Sequence, residues 1–197
     1  SRPLVMSDIV FAGFENGKLL LVRLDNGQIL WEKRVGDAVG KSELERLADL
    51  DTRPMLIQDT VYAAAFQSRV VAIHAPSARI VWENNVSTYQ DMAVDRKNLY
   101  VTDENDVVVA IDRNSGLTSW QQTAFDNRGL SAPVRVDDYV VVADREGYMH
   151  MLDVTTGEQA GRVKIGSAIL AQPLVRGDTI FVQTVDGELS SWQVNRL

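Results

Sequence analysis

Residues 99–120 decide the fold, and they read LYVTDENDVVVAIDRNSGLTSW. The segment LYVT is β-branched and aromatic, as strands prefer, and four polar turn formers separate it from the apolar run VVVAI. An apolar run without alternation indicates a strand that is covered on both faces. The turn NSG follows, with Gly116 free to adopt a positive φ, and Trp120 is the large apolar residue of a last strand. The stretch therefore predicts a three-stranded meander.

The same pattern recurs along the whole chain with a period near 40 residues. The residue before the apolar strand of each repeat serves as its reference position, and these residues are Gly17, Ser68, Asp106, Gly147 and Gly187. Fourteen residues before them stand Pro3, Pro54, Met92, Pro133 and Pro173. A period of this length with several short strands per repeat is typical of the blades of a β-propeller.

Each repeat reads as four short antiparallel strands joined by tight turns, and stacked blades would cover the apolar sheet faces. The predicted fold class is therefore all-β, a β-propeller of four-stranded antiparallel blades. Units start near residues 3, 54, 92, 133 and 173, and the fifth lacks its last strand. We expect residues 1–197 to form a single domain.

The spacing between the first two repeats is about eleven residues longer than the others, which marks an insertion. Within it, Ser42 and Glu45 match a capping box, so residues 42–47 are predicted to form a short helix. Long loops in compact folds are often functional, although an ordinary tolerated insertion explains the extra length equally well.

Composition excludes several classes of function. The net charge is −7 and the pI is about 4.8, which argues against nucleic acid or an anionic membrane surface as a partner. The chain has no cysteine, so it has no disulfide, thiolate nucleophile or zinc–cysteine site. His74 and His150 are the two histidines, and neither has a partner at metal-ligand spacing. We therefore predict no catalytic residue, no metal ligand and no cofactor.

Residues 110–120, AIDRNSGLTSW, resemble the tryptophan-docking motif A-x-D-x-x-[TS]-G-x-x-x-W of quinoprotein-type propellers. Enzymes of that group use pyrroloquinoline quinone and a calcium ion. The resemblance leaves open one alternative function, the C-terminal half of a pyrroloquinoline-quinone-dependent dehydrogenase.

Three segments resemble the BamB family more closely, and the likeness covers essentially the whole chain. They are SELERLADLDTRP at 42–54, GLSAP at 129–133 and DREGYMH at 144–150. Members of this family are propeller lipoproteins of the bacterial outer-membrane β-barrel assembly machinery. The resemblance implies the C-terminal half of an eight-bladed propeller, located in the periplasm at the inner face of the outer membrane. The lipidated N-terminal cysteine that would anchor the full-length protein is absent from this chain.

The function implied by this resemblance is that of a scaffold, not an enzyme. It would bind the periplasmic domains of the barrel-assembly protein, with unfolded outer-membrane proteins as a further class of partner. A propeller adaptor for another periplasmic partner remains a third alternative.

The resemblance also implies a partner site in the insertion. In the family, the Asp-x-Asp just before Thr-x-Pro contributes to binding the barrel-assembly protein, and the match carries that role to Asp49 and Asp51. Arg46 and Leu47 are added to the predicted site from their position alone. The competing interpretation is that both acids only cap or turn the chain.

Overall fold

The computed structural model describes residues 2–36 and 49–194. Within these ranges the chain forms 19 β-strands in five antiparallel sheets, and it forms no helix. The helix predicted at residues 42–47 lies outside the described residues. We call the sheets blades 1 to 5 in chain order. Each blade begins one residue after the proline or methionine that marks its repeat.

The first of two compact units comprises Ser1–Tyr89 and Ser115–Leu117. It contains two four-stranded meanders, in the orders β1-β2-β3-β4 and β5-β6-β7-β8. Blade 1 consists of β1 (Leu4–Met6), β2 (Ile9–Gly13), β3 (Lys18–Arg23) and β4 (Ile29–Arg34). Blade 2 consists of β5 (Met55–Ile57), β6 (Thr60–Ala64), β7 (Val70–His74) and β8 (Arg79–Asn84).

The second unit comprises Gln90–Asn114 and Thr118–Leu197 and contains three sheets. Blade 3 consists of β9 (Ala93–Val94), β10 (Asn98–Thr102), β11 (Val108–Asp112) and β12 (Thr118–Gln122). Blade 4 consists of β13 (Val134–Val136), β14 (Tyr139–Ala143), β15 (Tyr148–Asp153) and β16 (Gln159–Lys164). Blade 5 has three strands among the described residues, β17 (Leu174–Arg176), β18 (Thr179–Gln183) and β19 (Leu189–Gln193). The expectation that both units form a single domain stays a prediction.

The turn between β10 and β11 shows how local sequence fixes the meander. Asp103 Oδ1 accepts hydrogen bonds from the main-chain N–H groups of Asn105 and Val107, both at 2.8 Å. Asp106 takes a φ of 61°, a left-handed conformation that aspartate tolerates better than most side chains. The acidic run is therefore a hairpin turn, and the meander predicted for residues 99–120 is confirmed.

Apolar faces of consecutive blades pack together within each unit. In the first unit one buried cluster joins Phe11 and Leu19 of blade 1 to Val61 and Ile73 of blade 2. In the second unit another cluster joins blades 3 and 4, and a third joins blades 4 and 5. Stacking thus removes from water the sheet faces that one blade cannot cover by itself.

A tryptophan on the last strand of a blade reaches the next blade at a fixed position of the repeat. Trp31 Nε1 donates a hydrogen bond to the carbonyl of Ala75 at 2.8 Å, and Trp120 Nε1 donates to the carbonyl of Val154 at 2.9 Å. Ala75 and Val154 each stand seven residues after their reference position. The equivalent positions of the repeat hold Trp31, Trp82 and Trp120, and their spacing predicts that all three are buried. Trp82 and Trp120 are buried, whereas Trp31 is only partly buried.

Gly157 is required where Trp120 lies on blade 4. Its φ is +73°, and an added Cβ would lie 2.4 Å from Cε3 of the Trp120 indole. Gly177 has a similar φ of +63°, but no atom lies within 4 Å of an added Cβ. Substituting each glycine by alanine therefore distinguishes the cost of backbone strain, present at both positions, from the cost of a clash with the indole, present only at Gly157.

We expect Gly157→Ala to lower the free energy of unfolding by about 2–5 kcal/mol. Left-handed backbone costs alanine about 1–2 kcal/mol, and displacing a packed side chain adds about 1–3 kcal/mol. Gly177→Ala should cost only the backbone strain, about 1–2 kcal/mol. Urea unfolding of both variants measures the difference. Equal losses would show that contact with the indole contributes nothing.

Candidate partner-binding site

The segment that follows the insertion is anchored by alternate residues. Leu50 is buried in the core of the first unit, and Thr52 is fully buried. The Thr52 hydroxyl donates to the carbonyl of Ala64 at 2.9 Å and accepts from its N–H at 3.2 Å. Side chains of an extended segment alternate in direction, so Asp49 and Asp51 alternate with the two anchoring residues. Asp51 is exposed.

Blade 4 repeats this anchor with a different side chain. Ser131 stands two residues before Pro133, as Thr52 stands two before Pro54. Ser131 Oγ accepts a hydrogen bond from the N–H of Ala143 at 3.0 Å. The hydroxyl at this position therefore fastens the entry of a blade, and the threonine of the Thr-x-Pro motif has a structural role.

The main chain at Asp49 also makes a contact that the repeat conserves. Its carbonyl accepts a hydrogen bond from the N–H of Phe66 at 2.9 Å. In blade 4 the acceptor is the carbonyl of Arg128 and the donor is the N–H of Arg145, at 3.1 Å. In blade 5 the same position is Ala168. Since aspartate, arginine and alanine all support this contact, it does not explain the carboxylate of Asp49.

The carboxylate of Asp49 is in an unfavourable environment. Its Oδ1 is buried and has no hydrogen-bond partner among residues 2–36 and 49–194. Burial raises the pKa of Asp49 above its usual range, and the negative charges of Asp51 and Glu15 raise this pKa further. The ionised side chain therefore opposes folding at neutral pH.

A surface depression of about 470 Å³ lies beside these acids. Gly13, Phe14, Glu15, Asn16 and Asp51 line it. The Phe14 side chain is 46% exposed, so an apolar ring lies at the same surface as two carboxylates. This combination suits a lysine or arginine side chain, whose charged end meets the acids while its stem covers the ring.

The structure thus brings together two of the four predicted residues, Asp49 and Asp51. Arg46 and Leu47 lie outside the described residues. Sequence analysis missed Glu15 and Phe14, which belong to the turn between β2 and β3. In the structure, a main-chain hydrogen bond places this turn beside the acids, because the residue after Asp49 donates to the carbonyl of Phe14 at 3.4 Å. No motif in the sequence indicates this contact.

The two histidines make local contacts. His74 Nδ1 lies 2.8 Å from the Ser77 hydroxyl, and His150 Nε2 donates to Asp144 at 2.8 Å. Among residues 2–36 and 49–194, no three histidine or acidic side chains are grouped so that they could hold a metal ion. Among the same residues, no helix has the length and hydropathy needed to cross a membrane.

Sequence comparisons relate the chain to one family over nearly its whole length. The family model described as "Outer membrane protein assembly factor BamB" matches residues 1–122 and 123–196. The protein of that name from Legionella pneumophila (strain Paris) is 34% identical over 195 residues, which cover 99% of this chain and 51% of that protein. The chain spans about half the length of the curated relatives it matches.

Structural comparisons agree on the fold. BamB from Moraxella catarrhalis matches with a TM-score of 0.91 at 25% identity, over 98% of this chain and 58% of that one. Quinohemoprotein alcohol dehydrogenase from Comamonas testosteroni matches with a TM-score of 0.60 at 16% identity, over 70% of this chain and 29% of the other, a likeness of fold alone. The predicted class, an all-β propeller of four-stranded antiparallel blades, is confirmed.

We expect Asp49→Asn to stabilise the protein at neutral pH. A carboxyl group whose pKa is raised in the folded state favours folding while it is protonated, and this advantage is lost as the pH rises through the folded-state pKa. Removing the charge ends the repulsion by Asp51 and Glu15, which should add about 0.2–1 kcal/mol at pH 7, the range of interactions between charges near the surface. At about pH 3, below the usual pKa of aspartate, wild type and variant should differ little.

Urea unfolding at both pH values measures this effect. Asp8→Asn is the control, because Asp8 is an exposed aspartate of the same unit. A loss of stability in Asp49→Asn at pH 7 would show that the carboxylate supports the fold.

Proposed function

Because the chain belongs to the family of outer membrane protein assembly factor BamB, we propose that it is a non-catalytic scaffold of the outer-membrane β-barrel assembly machinery. In this proposal it binds the periplasmic domains of the barrel-assembly protein. The match of the family model to both parts of the chain carries the proposal. The curated relatives are named as assembly factors and not as enzymes.

The same family membership supports a location in the periplasm, beside the outer membrane. In the full-length protein a lipid anchor would hold the propeller there, so that its loops face other periplasmic proteins. Propellers suit this task because loops on a rigid frame can present a fixed surface to a partner.

We place the contact with the barrel-assembly protein at Asp49 and Asp51. A lysine or arginine of the partner would enter the depression and meet the exposed carboxylate of Asp51. Its positive charge would also offset the mutual repulsion of Asp49, Asp51 and Glu15. Charge-assisted hydrogen bonds of this kind are about twice as strong as neutral ones, and binding would remove the destabilising effect of Asp49.

A capping role explains the acids less well. A capping aspartate accepts main-chain hydrogen bonds through its side chain, whereas Asp49 Oδ1 accepts none. The main-chain hydrogen bond at this position forms equally with Arg128 or Ala168 in later blades. The side chain of Asp49 is therefore available for a partner at the expense of stability.

The test is the affinity of the full-length protein for the periplasmic domains of the barrel-assembly protein. We expect Asp49→Asn/Asp51→Asn to lose about 2–5 kcal/mol of binding free energy, as when one side of a partly desolvated charge pair is removed. Titration calorimetry at low and high salt measures the loss, which should shrink as salt screens the wild-type contact.

The matched control is Asp8→Asn/Asp25→Asn, which removes two exposed aspartates from blade 1 and should leave the affinity unchanged. The melting temperature of the site variant should not fall. An unchanged affinity, or a loss that follows unfolding of the variant, would refute the placement of the site.

A further inference from the structure

Blades 1 and 2 carry the same ion pair at the same two positions of the repeat. In blade 1, Lys18 Nζ lies 2.6 Å from Glu32 Oε1, and in blade 2, Arg69 Nη1 lies 2.6 Å from Glu83 Oε2. The basic residue stands one position after the reference residue, and the acid stands fifteen positions after it. The pair therefore joins the third and fourth strands of a blade across their exposed face.

Blade 4 replaces both members of this pair. The basic position holds Tyr148, and the acidic position holds Arg162, so the charge there is reversed. Lys164 is the cross-strand neighbour of Tyr148. Its Nζ lies 4.7 Å from the centroid of the tyrosine ring, while the guanidinium carbons of Arg162 and Arg128 each lie 5.6 Å from it. Three cations thus surround one aromatic ring.

These cations are unequally neutralised. Arg128 Nη2 lies 2.6 Å from Asp144 Oδ2 and 3.0 Å from Glu146 Oε2. Lys164 donates a hydrogen bond to the main-chain carbonyl of Glu146. Arg162 is exposed, and within the part of the chain that the structure describes its guanidinium has no acid and no hydrogen-bond acceptor.

A buried network holds this surface in place. Asp144 is fully buried and accepts hydrogen bonds from His150 Nε2 at 2.8 Å and from the N–H of Tyr148 at 2.9 Å, besides those of Arg128. Burial raises the pKa of Asp144, but these hydrogen bonds and the guanidinium charge lower it more, so that the pKa lies below its usual range. The ionised carboxylate fixes Arg128 and the backbone of Tyr148, which reduces the entropy lost on binding.

We propose that the surface formed by Arg128, Tyr148, Arg162 and Lys164 binds an acidic segment of a partner protein. Tyrosine and arginine are the residues that most often dominate protein interfaces, and Arg162 offers unused donors that match carboxylates. The net charge of −7 disfavours a long polyanion, which would be repelled beyond the surface. A short acidic segment avoids that repulsion because charges beyond about 8 Å are screened at physiological salt. This site does not depend on the acidic site of the first unit.

The test uses the full-length protein and a fluorescein-labelled tetraglutamate peptide, with binding followed by anisotropy at physiological salt, about 0.15 M. We expect Arg162→Gln to weaken binding about fivefold, the upper range for one exposed ion pair, and Arg162→Gln/Lys164→Gln to weaken it more. Arg162→Glu restores the residue of blades 1 and 2, so it should abolish binding while leaving the melting temperature unchanged.

The matched control is Arg34→Gln, because Arg34 is an exposed residue at the position in blade 1 that corresponds to Lys164. It should change the affinity less than about twofold. An equal loss in Arg34→Gln, or no binding of the peptide by wild type, would overturn the proposal. Phosphatidylglycerol vesicles and a single-stranded DNA complete the test, and tighter binding of either one through Arg162 would overturn the assignment to a protein segment.

Discussion

The positions of the surface loops depend on one contact, in which the indole of a tryptophan lies on a turn of the following blade. A four-stranded sheet has two apolar faces and cannot bury either of them alone. Trp31 and Trp120 fasten one such sheet to the next through an indole hydrogen bond to a carbonyl at a fixed repeat position. The turn that contacts Trp120 also requires a residue without a Cβ, and that residue is Gly157. Loops between sheets fixed in this way are placed by the core and by anchoring side chains such as Leu50 and Thr52.

Comparison of one blade with the next separates the structural side chains from the others. Thr52 and Ser131 occupy the same position and both bond the strand that follows, so a hydroxyl there belongs to the fold. The main chain at Asp49 makes the contact that Arg128 makes in blade 4, yet the two side chains carry opposite charges. The main-chain contact at this position therefore does not determine the charge of its side chain.

The sequence predicts the fold well because the fold is a short pattern written five times. Turn residues such as Asp103 and Gly116 determine the backbone within a few residues of themselves. Because their spacing repeats, a strand that is hard to assign in one repeat can be assigned from the others. The candidate sites are harder to predict because they depend on contacts between distant residues. Glu15 reaches the electrostatic environment of Asp49 only through the packing of blade 1 against the chain after the insertion. The cations around Tyr148 meet because of a cross-strand register, which periodicity alone does not fix.

At both candidate surfaces, the side chains differ from those at the equivalent positions of other blades. Blades 1 and 2 show that a lysine or arginine paired with a glutamate satisfies both charges on the outer strands. Blade 4 instead leaves Arg162 beside an aromatic ring, and the insertion leaves a buried oxygen of Asp49 without a donor. The buried Asp49 oxygen lowers stability, whereas the exposed Arg162 is solvated by water and costs the fold little. Their opposite charges also give each surface its own partner chemistry, since a basic group favours the first and an acidic group the second. Under these two proposals, a propeller whose repeats are nearly equivalent in structure distinguishes two ligands by the charge at a few loop and strand positions, without any change in the sheets that carry them.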